Sequence, residues 1–74
     1  MMNNFIYVIR LKPFGKFLKS CYFDLDDFDS EELYVIDDRS LLNAQRFTTK
    51  ETVETCCEVL REHGYGCDYL RFKA

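Results

Sequence analysis

Proline and glycine are scarce in this 74-residue chain, with one Pro and three Gly. So few breakers leave little room for flexible linkers. No apolar run approaches the roughly 20 residues needed to cross a bilayer as a helix. The stretch from Phe5 to Leu11 is apolar but interrupted by Arg10. Met1-Met2-Asn3-Asn4 has neither the basic start nor the long apolar stretch of a signal peptide. The phosphate-cradling G-x-x-x-x-G-K-[ST], the dinucleotide G-x-G-x-x-G and the metalloprotease H-E-x-x-H are all missing. These absences argue against a multidomain enzyme and a helical membrane protein. They lead us to expect a non-enzymatic protein of the cytoplasm, with no cofactor and no membrane partner.

Apolar material, by contrast, is plentiful. The chain is 47% hydrophobic and holds seven Phe and five Tyr, too much for a disordered tail. Its length lies near the floor for a folded domain, so a single compact domain over 1–74 is expected. A core in so short a chain typically supplies only about 3–5 kcal/mol. Homodimerisation through surplus aromatic residues of a sheet would add to that.

Periodicity places the elements. Phe5 to Lys12 alternates as a strand, with Phe5, Tyr7, Ile9 and Leu11 on one face. Lys12-Pro13-Phe14-Gly15 is a turn signal. Lys16 to Asp26 reads as a second strand, antiparallel to the first. Its inner face is expected to be Phe17, Cys21, Phe23 and Leu25, with Lys19 out of place among them and Leu18 on the outside. Leu33 to Asp37 forms a third, short strand, and Leu41 to Ala44 one helical turn. A helix from about Thr49 to Glu62 carries Val53, Cys56, Cys57 and Leu60 at i, i+3, i+4 and i+7. Thr48 is expected as its N-cap, in a capping box with Glu51, and Gly64 as its stop. A strand from Gly66 to Lys73 follows, with Leu70 and Phe72 inward. The fold class is therefore α+β, in the order β-β-β-α-β, with a small antiparallel sheet packed on one amphipathic helix. The expected core is Phe5, Tyr7, Ile9, Phe17, Phe23, Val35, Phe47, Leu70 and Phe72.

The net charge of −3 hides a sharp segregation. Residues 1–23 carry Arg10, Lys12, Lys16 and Lys19 and no acid. Residues 24–38 carry eight acids and no base. Such a block on a hairpin is suited to occupy a partner's basic groove, because Arg grips carboxylate and phosphate with the same bidentate fork. The candidate partner-binding residues are Asp24, Asp26, Asp27, Asp29, Glu31, Glu32, Asp37 and Asp38. Phe28 sits among them as an apolar anchor. The matching partner is a protein with a basic groove built for nucleic acid, whose phosphates the carboxylates would mimic; direct binding of nucleic acid is not favoured.

Two other readings remain at this level. The basic hairpin 10–22 has Phe14, Phe17 and Tyr22 available to stack on bases, as in a nucleic-acid-binding module. Cys56, Cys57, His63 and Cys67 fall within 12 residues, a density that zinc sites use. They contain no C-x-x-C pair, and two of them occupy core positions of the helix. Cys56 and Cys57 are therefore expected as small buried hydrophobes, and, with no secretion signal present, all four cysteines, Cys21 included, as reduced thiols.

Asn43-Ala44-Gln45-Arg46-Phe47-Thr48-Thr49-Lys50-Glu51-Thr52, running to His63-Gly64-Tyr65, resembles a pattern in small bacteriophage and prophage proteins of unknown function. There, an Ala-x-x-Phe strand end leads through Ser/Thr-x-x-Glu into a helix that stops at Gly. The strand Phe5-Ile6-Tyr7-Val8-Ile9-Arg10 suits the same group. This chain departs from the pattern at Thr52, where Ala is common, and at Cys56-Cys57. The resemblance implies a small phage-encoded accessory protein that binds and inhibits or modulates a host protein in the host cytoplasm. That is the size class of anti-CRISPR and anti-restriction inhibitors. It transfers no binding residues.

Overall fold

The structure is a computed structural model that describes residues 4–12, 15–23 and 33–73. Four antiparallel strands form one sheet: β1 (Phe5–Leu11), β2 (Lys16–Phe23), β3 (Leu33–Asp38) and β4 (Cys67–Lys73). Their spatial order is β3-β2-β1-β4. A 3-10 turn at Leu41–Asn43 and helix α1 (Lys50–Glu62) separate β3 from β4. The small α+β architecture is that of the sequence pattern.

Helix α1 lies against β1 and β4 and covers one face of the sheet. Val53, Cys57 and Leu60 are buried along its stripe, and Cys56 is half-buried beside them. They meet Tyr7, Ile9 and Leu11 from β1, Leu18 from β2, Leu33 from β3, Cys67 from β4, and Phe47. A single apolar helix stripe buries its area only against such a layer.

The ends of α1 are fixed by local chemistry. Its N-cap is Thr49, not Thr48, so N3 is Thr52 rather than Glu51 and the expected capping box does not form. The Thr49 hydroxyl accepts from the Thr52 backbone N–H at 3.2 Å, and the two Thr hydroxyls lie 2.6 Å apart. Glu51 instead stands in the first turn, where its charge favours the helix dipole. At the other end Gly64 adopts φ 89°, a left-handed conformation that glycine enters without a Cβ clash. Gly64 N–H donates to Arg61 O and Tyr65 N–H to Leu60 O, which together form a Schellman closure.

Strand β2 changes face part-way along. Lys16 and Phe17 pair with Leu11 and Arg10, and Leu18 pairs with Asp37. The next pair joins Ser20 to Ile36, so β2 gains one residue on β3 between Leu18 and Ser20. This bulge inverts the alternation. Leu18 is therefore fully buried against the helix, although strict alternation places it outside. Phe17 shares the opposite face with Arg10, while Cys21 packs inward beyond the bulge. The misplaced Lys19 of the sequence pattern marks the irregularity.

A second correction concerns β4. Leu11 pairs with Cys67, Ile9 with Tyr69 and Val8 with Leu70. Cys67 and Tyr69 thus face the helix, while Leu70 and Phe72 occupy the other face of the sheet and leave the expected core.

Strands β1 and β2 pair only at Arg10–Phe17 and Leu11–Lys16 among the described residues, and then part. The chain after the 3-10 turn fills the opening. Gln45 N–H donates to Leu18 O at 2.9 Å. Tyr7 and Phe47 exchange both backbone hydrogen bonds, at 2.8 and 2.9 Å. Buried peptide groups that the hairpin leaves without a strand partner are satisfied in this way. Phe47 enters the helix-side core, whereas Leu41, Leu42 and Arg46 meet Ile6 and Val8 on the opposite face. Residues 41–47 therefore carry the chain from one face of the sheet to the other.

The bulge makes a testable statement about burial. Leu18→Ala should destabilise the protein by about 2–5 kcal/mol, the usual range for a buried leucine. Phe17→Ala should cost clearly less, although it removes a larger side chain. Urea or guanidinium unfolding midpoints of the two variants measure the order, and a larger loss for Phe17 would contradict the bulge.

Candidate interaction surface

The face of the sheet opposite α1 carries side chains that nothing in the chain fully covers. On the β2–β3 side, Tyr22 and Tyr34 are cross-strand partners whose rings stack at 5.4 Å with 19° between planes. Tyr22 is 53% exposed, and Ile36, two residues along from Tyr34, is 44% exposed. Pairs of this kind stabilise a ladder while presenting their outer ring surface to solvent.

On the β1–β4 side the same face holds a cavity of about 260 Å³. Ile6 and Val8 of β1, Phe72 of β4, and Leu41, Leu42 and Arg46 line it. Val8 is buried there, although it lies outside the helix-side core. Leu42 is 82% exposed beside the cavity.

Near one end of the β1–β4 ladder lies a charged pair. Arg10 donates from Nε to Asp68 Oδ1 at 3.0 Å and from Nη2 to Oδ2 at 2.7 Å. The strand register sets these residues directly opposite each other, so the fork meets the carboxylate with little side-chain search. This bond holds the Asp68 carboxyl below the usual carboxylate range and raises Arg10.

Of the acidic block, Asp24, Asp26, Asp27, Phe28, Asp29, Glu31 and Glu32 lie outside the described residues. Asp37 and Asp38 have local roles. Asp37 lies 3.9 Å from Lys16 Nζ. Asp38 accepts from Ser40 N–H at 2.7 Å and from Asn43 Nδ2 at 3.2 Å, and so caps the turn leaving β3. The Ser40 bond, followed by that from Asn43, lowers its pKa.

The basic hairpin is partly spoken for. Arg10 is committed to Asp68, Lys16 stands near Asp37, and one face of Tyr22 is occupied by Tyr34. Phe14 falls outside the described residues.

All four cysteines are free thiols. Cys56 abuts Cys21, and Cys57 abuts Cys67, whose Sγ also approaches Cys57 O at 3.7 Å. Burial, reinforced by these thiol neighbours, pushes both Cys56 and Cys57 up to about 12. Thiols so far from ionising are poor nucleophiles at neutral pH. His63 sits at the C-cap of α1, with Nδ1 2.8 Å from Val59 O. Among the described residues, no three Cys, His, Asp or Glu side chains converge on a point that would hold a metal ion. No helix among them is long and apolar enough to cross a membrane.

Sequence patterning identified the strands of the open face but not its cavity. Phe72 and Leu70 looked like core, and Leu41-Leu42 like an unremarkable turn. The pairing of Val8 with Leu70, which assigns β4 its faces, is not legible in alternation alone.

The Arg10–Asp68 bond links stability to acid. Asp68 is lowered in the folded chain, so it adds stability above the ordinary carboxylate value of about 3.9. That contribution is lost as pH falls through its depressed folded value. Asp68→Asn should therefore lower the melting temperature at pH 7, and the gap from the parent protein should close as pH drops below about 4. Thermal melts across pH 2–7 measure it; a gap that stays constant would show that the carboxylate's charge contributes nothing.

No protein-family model, curated protein or solved structure matches this chain.

Proposed function

We propose that this protein is a binding module: a small accessory protein of phage type that acts by docking on a host protein rather than by catalysis. The observation that carries the reading is the open sheet face, with Tyr22, Tyr34 and Ile36 contiguous and exposed. Interfaces concentrate energy in aromatic anchors and surround them with a polar rim. Residues 24–32 connect β2 to β3, the two strands that bear the Tyr pair, and carry six carboxylates and no base.

An exposed apolar patch on two strands joined by an acidic segment fits a partner whose basic groove has an apolar floor. A nucleic-acid-handling host complex, such as a CRISPR–Cas or restriction assembly, has a groove of that sign. The carboxylates would steer the encounter and set its salt dependence, while the tyrosines would supply residence time. Binding of nucleic acid by the hairpin 10–22 has less support, because Arg10 and Lys16 already face carboxylates.

A photo-cross-linking residue placed at Ile36 should capture the partner from host lysate, and one at Glu58 on the exposed side of α1 should not. Tyr22→Ala should weaken the captured complex by about tenfold or more, as for an aromatic anchor. Replacing Asp26, Asp27, Asp29, Glu31 and Glu32 by Ser or Gln should leave the fold intact and abolish the salt dependence of association. Capture only from position 58 would remove the open face from consideration.

A further inference from the structure

The cavity on the β1–β4 half of the open face has a composition that its neighbours do not explain. Ile6, Val8, Leu41, Leu42 and Phe72 make its walls apolar, and Arg46 is the single charged side chain among them. Arg46 has a structural reason to be there. The Tyr7–Phe47 bridge sets Phe47 inward, so alternation turns Arg46 to the face that Val8 occupies. It has no reason to be there for its charge. Among the described residues it takes part in no hydrogen bond or ion pair, whereas Arg10 on the same face is held by Asp68. An unpaired guanidinium beside an apolar hollow is the arrangement by which a protein orients an amphiphilic anion.

We propose that this cavity is a binding site for a small monocarboxylic acid, whose apolar body lies on Val8 and Phe72 and whose carboxylate meets Arg46. The size sets the body. About 260 Å³ is just under the usual lower bound of about 300 Å³ for small-molecule sites. That volume matches a phenyl-propyl or octyl group. The charge sets the head. One planar guanidinium matches one carboxylate through two parallel N–H···O bonds. A phosphate dianion would need a second cation, and the cavity lining has none. The site lies away from the Tyr22–Tyr34 patch, so the assignment stands or falls independently of protein docking there.

The test is an NMR titration of the isotope-labelled full chain with 3-phenylpropionate and with octanoate. The expected result is saturable binding in the range of about 0.1–1 mM, with shifts at the Ile6, Val8, Leu41 and Leu42 methyl groups. A dissociation constant of that order is what about a dozen well-placed heavy atoms provide. The neutral isostere 3-phenylpropionamide should bind about tenfold more weakly. Arg46→Gln, a change at an exposed residue that leaves the core untouched, should bring acid and amide to equal affinity. Leu42→Ser should weaken both ligands alike. Phenyl phosphate serves as the dianion probe and should bind no better than the amide. Equal affinity of the parent protein for acid and amide would overturn the proposal, as would shifts centred on Tyr22 and Tyr34. Absence of saturation by 10 mM acid would overturn it too, leaving the cavity as an apolar contact point for a macromolecule.

Discussion

The reciprocal hydrogen bonds between Tyr7 and Phe47 are the contact on which the rest of this structure depends. A hairpin whose strands part after two pairs leaves peptide groups facing each other across a gap, and such groups cannot stay unsatisfied beneath a helix. Residues 45–47 act as an inserted ladder, with Gln45 bonded to β2 and Phe47 to β1. The side-chain consequence is equally large. Phe47 is delivered to the helix-side core, and Arg46 is turned to the opposite face. One short extended segment thus closes the sheet, contributes to the core and shapes the cavity.

The same segment determines what α1 can cover. The helix starts at once after the crossing, capped by Thr49, and lies on β1 and β4. Its stripe of Val53, Cys57 and Leu60 is narrow, so it shields one face and no more. Small thiols at Cys57 and Cys67 allow close approach of helix and strand, where bulkier side chains would hold them apart. The other face is left to the 3-10 turn, which shelters Val8 but not the β2–β3 tyrosines.

The element order, the helix stripe and the Gly64 stop were legible in the sequence, because each rests on local rules of spacing and backbone conformation. The core was legible only in part. Tyr7, Ile9 and Phe47 are where periodicity puts them, but Leu18 and Phe17 are exchanged by the bulge, and Leu70 and Phe72 by the β1–β4 register. Alternation fixes which residues share a face and not which face turns inward; that choice belongs to pairings between residues nearly the whole chain apart. Thr48 has the capping-box spacing to Glu51, yet it is the Thr49 hydroxyl that reaches Thr52 N–H. The candidate surface followed the same division. The acidic run is visible as composition, whereas the Tyr22–Tyr34 stack and the Arg46 cavity exist only once strands are paired.

The pairing of β1 with β4 also bears on how the chain matures. Phe5 meets Lys73, Ile9 meets Tyr69, and every intervening element has been synthesised before these contacts form. At the pace of translation, about 5–20 residues per second, a nascent chain spends several seconds with the β4 edge of β1 open. Contacts of such sequence separation are slow to close. Until then the molecule is an incomplete sheet with sticky hydrogen-bonding groups, a state in which ribosome-associated chaperones, or a second nascent copy, would compete with β4 for the same edge.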